Sequence, residues 1–65
     1  MTIIREYQEL SEYISDNSTK TATIIREVAT NRFIVRMKSD AGSYFTATCS
    51  DLDQAEIVAD DWVRS

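Results

Sequence analysis

The stretch Arg32-Phe-Ile-Val-Arg-Met-Lys-Ser-Asp-Ala-Gly-Ser-Tyr-Phe-Thr-Ala-Thr-Cys49 reads as a β-hairpin whose turn and apolar pattern fix each other. Gly42, the chain's single glycine, closes Asp40-Ala41-Gly42. That suits a three-residue loop, a type I turn followed by a residue at positive φ, where glycine carries no Cβ penalty. Such a loop pairs Ser39 with Ser43, Met37 with Phe45, Val35 with Ala47 and Phe33 with Cys49, so the apolar residues of both strands share one face. A two-residue loop would slip the pairing by one and set threonines opposite that row. The other face carries Ile34, Arg36, Lys38, Tyr44, Thr46 and Thr48.

An apolar sheet face this short needs a cover, and the chain downstream supplies one. Ser50-Asp51-Leu52-Asp53-Gln54 starts a helix with a serine or aspartate cap, and Asp51 to Gln54 has capping-box spacing. Leu52, Ala55, Val58, Ala59, Trp62 and Val63 fall on one broad helical face, which is expected to lie on Phe33, Val35, Phe45 and Ala47. The two alanines allow helix and sheet to approach closely.

Upstream, Thr21 to Ala29 is rich in threonine and β-branched residues and reads as a strand. Its turn to Arg32, around Thr30-Asn31, leaves two registers open. A two-residue loop faces Ile24, Arg26 and Val28 to the core beside Met37, Val35 and Phe33; a three-residue loop with Asn31 at positive φ faces Ile25 and Glu27 there. The first is preferred, because an arginine at an edge strand snorkels more easily than a glutamate. Asp16-Asn17-Ser18-Thr19-Lys20 is a polar connector, and its Asn17-Ser18-Thr19 sequon has meaning only in a secreted protein.

Residues 2 to 15 place Ile3, Tyr7, Leu10 and Ile14 at spacings of four, three and four, with Arg5, Glu6, Glu9 and Glu12 largely off that stripe. The spacing predicts an amphipathic helix ending near Asp16-Asn17. The pentapeptide Thr-Ile-Ile-Arg-Glu occurs both at residues 2 to 6 and at 23 to 27, so an edge strand beginning over residues 2 to 8 is the alternative. The expected fold is α+β in the order α-β-β-β-α, a three-stranded antiparallel meander with both helices packed on one face.

Sixty-five residues allow one domain, and a chain of this size buries only roughly 60% of the surface its unfolded form exposes. The 43% hydrophobic and 28% charged fractions are those of a folded rather than a disordered chain. One cysteine permits no internal disulfide, and without a signal peptide or long apolar run the expectation is a cytoplasmic protein that no membrane holds.

No histidine is present, which removes the commonest general base and metal ligand together. Cys49 falls in the apolar row and reads as a buried, inert thiol. Asp51 and Asp53 are explained by the dipole at a helix start rather than by a calcium loop. No catalytic, cofactor or metal site is expected, and the chain reads as a non-enzymatic module.

Two surfaces could bind a partner. Asp53, Glu56, Asp60 and Asp61 lie off the core face of the second helix with only Arg64 to balance them, and Ile57 projects among them. Asp60 and Asp61 stand in the last turn, where the macrodipole disfavours negative charge by roughly 0.3 to 1 kcal/mol each, so helix stability does not explain them. They suit a larger protein with a basic or nucleic-acid-binding surface. The alternative is nucleic-acid binding by Arg26, Arg36, Lys38 and Tyr44, the last three of which share the uncovered sheet face and combine basic and aromatic groups in the manner of single-strand nucleic-acid binders. The net charge of −4 weighs against that alternative.

In outline the order of elements matches the double-stranded-RNA-binding domain, but the second helix offers Asp51 and Asp53 where that family has a basic start, so only the topology transfers. The run Phe33-Ile-Val-Arg-Met-Lys-Ser-Asp-Ala-Gly-Ser-Tyr44, followed by a strand and a helix, resembles the layout of a Cas9-blocking anti-CRISPR. The segment Asp51-Leu-Asp-Gln-Ala-Glu-Ile-Val-Ala-Asp-Asp-Trp62 resembles the helix of short phage accessory proteins, including an inhibitor of bacterial RNA polymerase. These resemblances imply a small acidic phage-encoded accessory or inhibitor protein, monomeric or weakly dimeric, working in the host cytoplasm.

Overall fold

The computed structural model describes residues 6–65. Four strands, β1 (Tyr7–Ile14), β2 (Lys20–Glu27), β3 (Arg32–Ser39) and β4 (Tyr44–Cys49), are followed by one helix, α1 (Leu52–Arg64). The strands form one antiparallel sheet in the order β1-β2-β3-β4, and α1 lies across one face, chiefly over β2 and β3. The class is α+β, as the sequence implies.

The β3–β4 hairpin has the register that its glycine requires. Met37 pairs with Phe45, Val35 with Ala47 and Phe33 with Cys49, and Gly42 sits at φ 89° with its N–H donating to the Ser39 carbonyl at 3.1 Å. The β2–β3 hairpin differs from the expected one by two residues. Its loop runs over four residues, 28 to 31, closed by the Asn31 N–H donating to the Glu27 carbonyl at 2.8 Å with Asn31 at φ 59°. A two-residue slip keeps every side chain on its expected face. Ile24 therefore still points to the core but opposite Val35, with Ala22 opposite Met37 and Arg26 opposite Phe33. Val28 is displaced from the row into the loop, 43% exposed, which corrects its expected burial.

The largest correction concerns the N-terminal element. Residues 7 to 14 are a strand, not a helix, so among the described residues the order is β-β-β-β-α with four strands and one helix, and the outline shared with the double-stranded-RNA-binding domain is lost. Tyr7, Leu10 and Ile14, three members of the helical stripe, are all exposed; Ile3 lies outside the described residues. The physical reason is the outer edge of β2. Its backbone groups need partners, and Ile25, on the face away from α1 and only 5% exposed, needs a neighbour on each side; β1 supplies both, with Glu9 opposite Ile25. A bulge between Glu9 and Ser11 conceals the strand in the sequence. Before the bulge Gln8 shares the face of α1, after it Ser11 and Tyr13 do, so the parity of inward positions changes midway and no period of two survives.

The core is small. Ala22, Ile24, Val35, Ala55 and Ala59 are fully enclosed, with Met37 and Cys49 beside them. Ala55 and Ala59 bring α1 close to the sheet, and Tyr13, Phe33, Ala47, Val58, Trp62 and Val63 close the margins. Asp51 caps the helix, accepting from the Gln54 N–H at 2.7 Å. At the other end, the Trp62 indole N–H lies 3.0 Å from the Thr21 carbonyl and 3.2 Å from the Lys38 carbonyl, on adjacent strands. Leu52 and Phe45, expected in the core, are peripheral. Phe45 is 53% exposed and meets Trp62 edge-on at 5.5 Å.

Ile24→Ala is expected to destabilise the protein by about 2–5 kcal/mol, the range for emptying an enclosed aliphatic site, whereas Val28→Ala should cost under about 0.5 kcal/mol, as at other open surface positions. Urea unfolding of the two variants checks this, and equal losses would contradict the four-residue loop.

Candidate functional site

A shallow groove runs between β1 and α1, lined by Tyr13, Asp53, Glu56, Ile57 and Asp60. It has this position because α1 turns its buried face to β2 and β3, leaving one flank over the β1 edge. Residues 53, 56, 57 and 60 recur on that flank at helical spacing. Tyr13 rises to meet them from the strand, since the bulge restores it to the helix side of the sheet. Ile57 is 62% exposed among the carboxylates.

Four of the five sequence-predicted acidic-face residues, Asp53, Glu56, Ile57 and Asp60, thus share one surface. Asp61 is not among the residues lining it: it lies one helical turn beyond Ile57 and further round the helix from β1 than Asp60. Arg64 binds Asp60 at 3.0 Å between exposed groups, an i,i+4 pair that solvent leaves weak and easily exchanged. Tyr13 was absent from the predicted set. A helix over residues 2 to 15 gives it no such position; the strand and its bulge bring it to α1.

Burial raises the Tyr13 hydroxyl above its ordinary pKa of 10.0, and the carboxylates of Glu56 and Asp60 raise it further. The phenol is therefore neutral at physiological pH and its ring stays in the groove as an uncharged donor. Cys49, enclosed by the sheet and helix, is raised above 9.0 by burial first and by Asp51 second. A thiol held in its protonated form is a poor nucleophile.

The alternative basic set is only partly assembled. Arg36 and Lys38 lie on the sheet face away from α1, and the Lys38 ammonium stands 5.9 Å from the Tyr44 ring centre. Arg26 is on the other face, its guanidinium donating to Gln8 Oε1 and, at 2.7 Å, to Asn31 Oδ1. Glu9 and Glu12 line the same concavity as Arg36 and Lys38, placing negative charge where a phosphate would have to sit. Among the described residues, no group of three or more Asp, Glu, His or Cys side chains is placed to hold a metal ion. No helix of the described residues is long and apolar enough to cross a membrane.

Comparison with protein-family models, with curated proteins and with solved structures returns no match.

The raised titration of Tyr13 and Cys49 has a consequence for stability. Each contribution is fully present below the unfolded-state value and is lost as pH rises through the folded one. Stability to urea is expected to decline from about pH 9 upward, and Tyr13→Phe should make that decline shallower. A variant with the same alkaline slope as the native chain would show that Tyr13 is not coupled to folding.

Proposed function

We propose that the protein is a non-enzymatic interaction module that presents the β1–α1 groove to a basic surface on a larger protein. The observation that carries this reading is the convergence of Asp53, Glu56 and Asp60 around exposed Ile57 and the half-buried Tyr13 ring. Such a constellation suits an arginine or lysine side chain. A guanidinium can bridge Glu56 and Asp60 as Arg64 already does to Asp60, while its aliphatic stem packs on Ile57 and its charge lies near the Tyr13 ring. A net charge of −4 adds long-range attraction to a basic partner. The resemblance of residues 51 to 62 to phage accessory proteins supports placing it among small phage-encoded inhibitors acting in a host cytoplasm.

The test is affinity capture from the source cell, identification of the retained protein, and titration of that purified partner against charge variants. Asp53→Lys, Glu56→Lys and Asp60→Lys are each expected to weaken binding about tenfold or more, the loss of about 1.4 kcal/mol, and raising salt should weaken native binding. Asp61→Lys should have a much smaller effect, because Asp61 does not line the groove. Equal affinity of all four variants would sink the proposal.

The second reading, nucleic-acid binding by Arg36, Lys38 and Tyr44, rests on their alignment on the open face, and Glu9 and Glu12 oppose it. A low-salt fluorescence titration with single- and double-stranded DNA and RNA separates the two. Micromolar binding that Arg36→Glu abolishes would favour the nucleic-acid reading over the groove.

A further inference from the structure

β4 is one margin of the sheet, and among the described residues nothing pairs with its outer side. Which backbone groups point outward follows from the hairpin. The Ser39 N–H donates to the Ser43 carbonyl at 3.0 Å, marking that pair as hydrogen-bonded. Hydrogen-bonded and open pairs alternate along an antiparallel ladder, so Phe45, Ala47 and Cys49 turn their backbone groups to β3. Tyr44, Thr46 and Thr48 turn N–H and C=O away from it.

The two margins of the sheet are built differently. β1 carries a bulge and the charged residues Glu9 and Glu12, features that blunt an edge against pairing. The sequence of β4, Tyr-Phe-Thr-Ala-Thr-Cys, has no charge and no proline, and its register with β3 is unbroken. Tyr44 and Phe45 are each more than half exposed, one on each face of this strand. α1 lies chiefly over β2 and β3, which leaves the helix side of β4 open to a neighbour.

We propose that β4 is a self-association edge, pairing antiparallel with β4 of a second copy across a two-fold axis at Thr46. This register uses every outward backbone group of the strand. Thr46 pairs with its own equivalent, and Tyr44 pairs with Thr48 of the second copy. On the helix side Phe45 falls opposite the small Ala47 of the second copy, which covers the exposed ring. A second copy is favoured over a foreign strand because the edge is complementary to itself. Both ends of the pairing match a large residue with a small one, and no side chain puts like charges together at the axis. The charge of −4 on each copy opposes association, so the dimer tightens as salt screens it. Groove binding to a basic partner responds to salt in the opposite sense, so the two sites are separable.

Sedimentation velocity of the full chain from micromolar to millimolar concentration tests this. The mass is expected to rise from 7.4 kDa toward twice that value, more readily at high salt. Thr46→Lys, which sets two like charges on the axis, and Thr46→Pro, which removes the outward N–H, should both remain at the monomer mass with a native circular dichroism spectrum. In the native chain, the Thr46 and Thr48 amides should exchange more slowly as concentration rises, a readout that stands even if a variant fails to fold. A native chain that stays monomeric throughout overturns the proposal. So does a dimer whose Thr46 amide exchanges freely, or an edge that takes up only an extended peptide of another protein.

Discussion

Ile24 and Val35 face each other across β2 and β3 beneath the two alanines of α1, and the remaining structure depends on that contact. Among the described residues they are the largest side chains that are completely enclosed. Fully burying an aliphatic side chain of this size contributes roughly 1.5–3 kcal/mol, a large share of the stability available to a chain this short. The alanines matter as much as the branched residues. A larger side chain at position 55 or 59 would lift the helix and separate Trp62 from the Thr21 and Lys38 carbonyls that receive its indole N–H.

α1 lies chiefly over β2 and β3 and touches β1 and β4 more lightly, so it does not cover the outer edges of the sheet. β1 covers one side by pairing, and it compensates for its own exposure with a bulge and charge. The polar connector between β1 and β2 is ordered from within, since Asn17 Oδ1 accepts from Ser15 Oγ, the Thr19 N–H and Thr19 Oγ1. The Asp40 N–H donates to the Thr19 carbonyl at 2.8 Å, tying this connector to the turn that precedes β4. The two hairpins are thus held at a common end of the sheet. β4 has neither bulge nor charge along its length, and among the described residues nothing pairs with its outer side.

Charge is sorted by the same geometry. Acidic residues collect on β1 and the outward flank of α1, and β3 contributes Arg36 and Lys38 to the far face of the sheet. The groove between β1 and α1 combines fixed negative charge with an exposed isoleucine and a tyrosine kept neutral by its surroundings. Helix stability alone does not call for carboxylates in the last turn; the proposed binding of a basic partner would give them a role. The opposite face mixes signs within one concavity, where Glu9 and Glu12 stand beside Arg36 and Lys38.

The sequence by itself determined the β3–β4 register, the capped C-terminal helix and most of its buried stripe. Each depends on local chemistry: one glycine that tolerates positive φ, an aspartate whose carboxylate accepts from a backbone N–H three residues on, and apolar residues at fixed spacing. The faces of Ile24 and Arg26 were legible as well, because a loop two residues longer leaves side-chain parity unchanged. Four of the five acidic-face residues were also legible, since helical spacing alone places them together. Only the tertiary structure decided that residues 7 to 14 form a strand. Their spacing satisfies a helix, and the bulge erases the alternation that would have revealed β1; what selects the strand is the unpaired edge of β2 and the need to enclose Ile25. Tyr13's place in the groove follows from that choice. These features depend on which elements meet across the sheet, a relation between distant parts of the chain that no local pattern encodes.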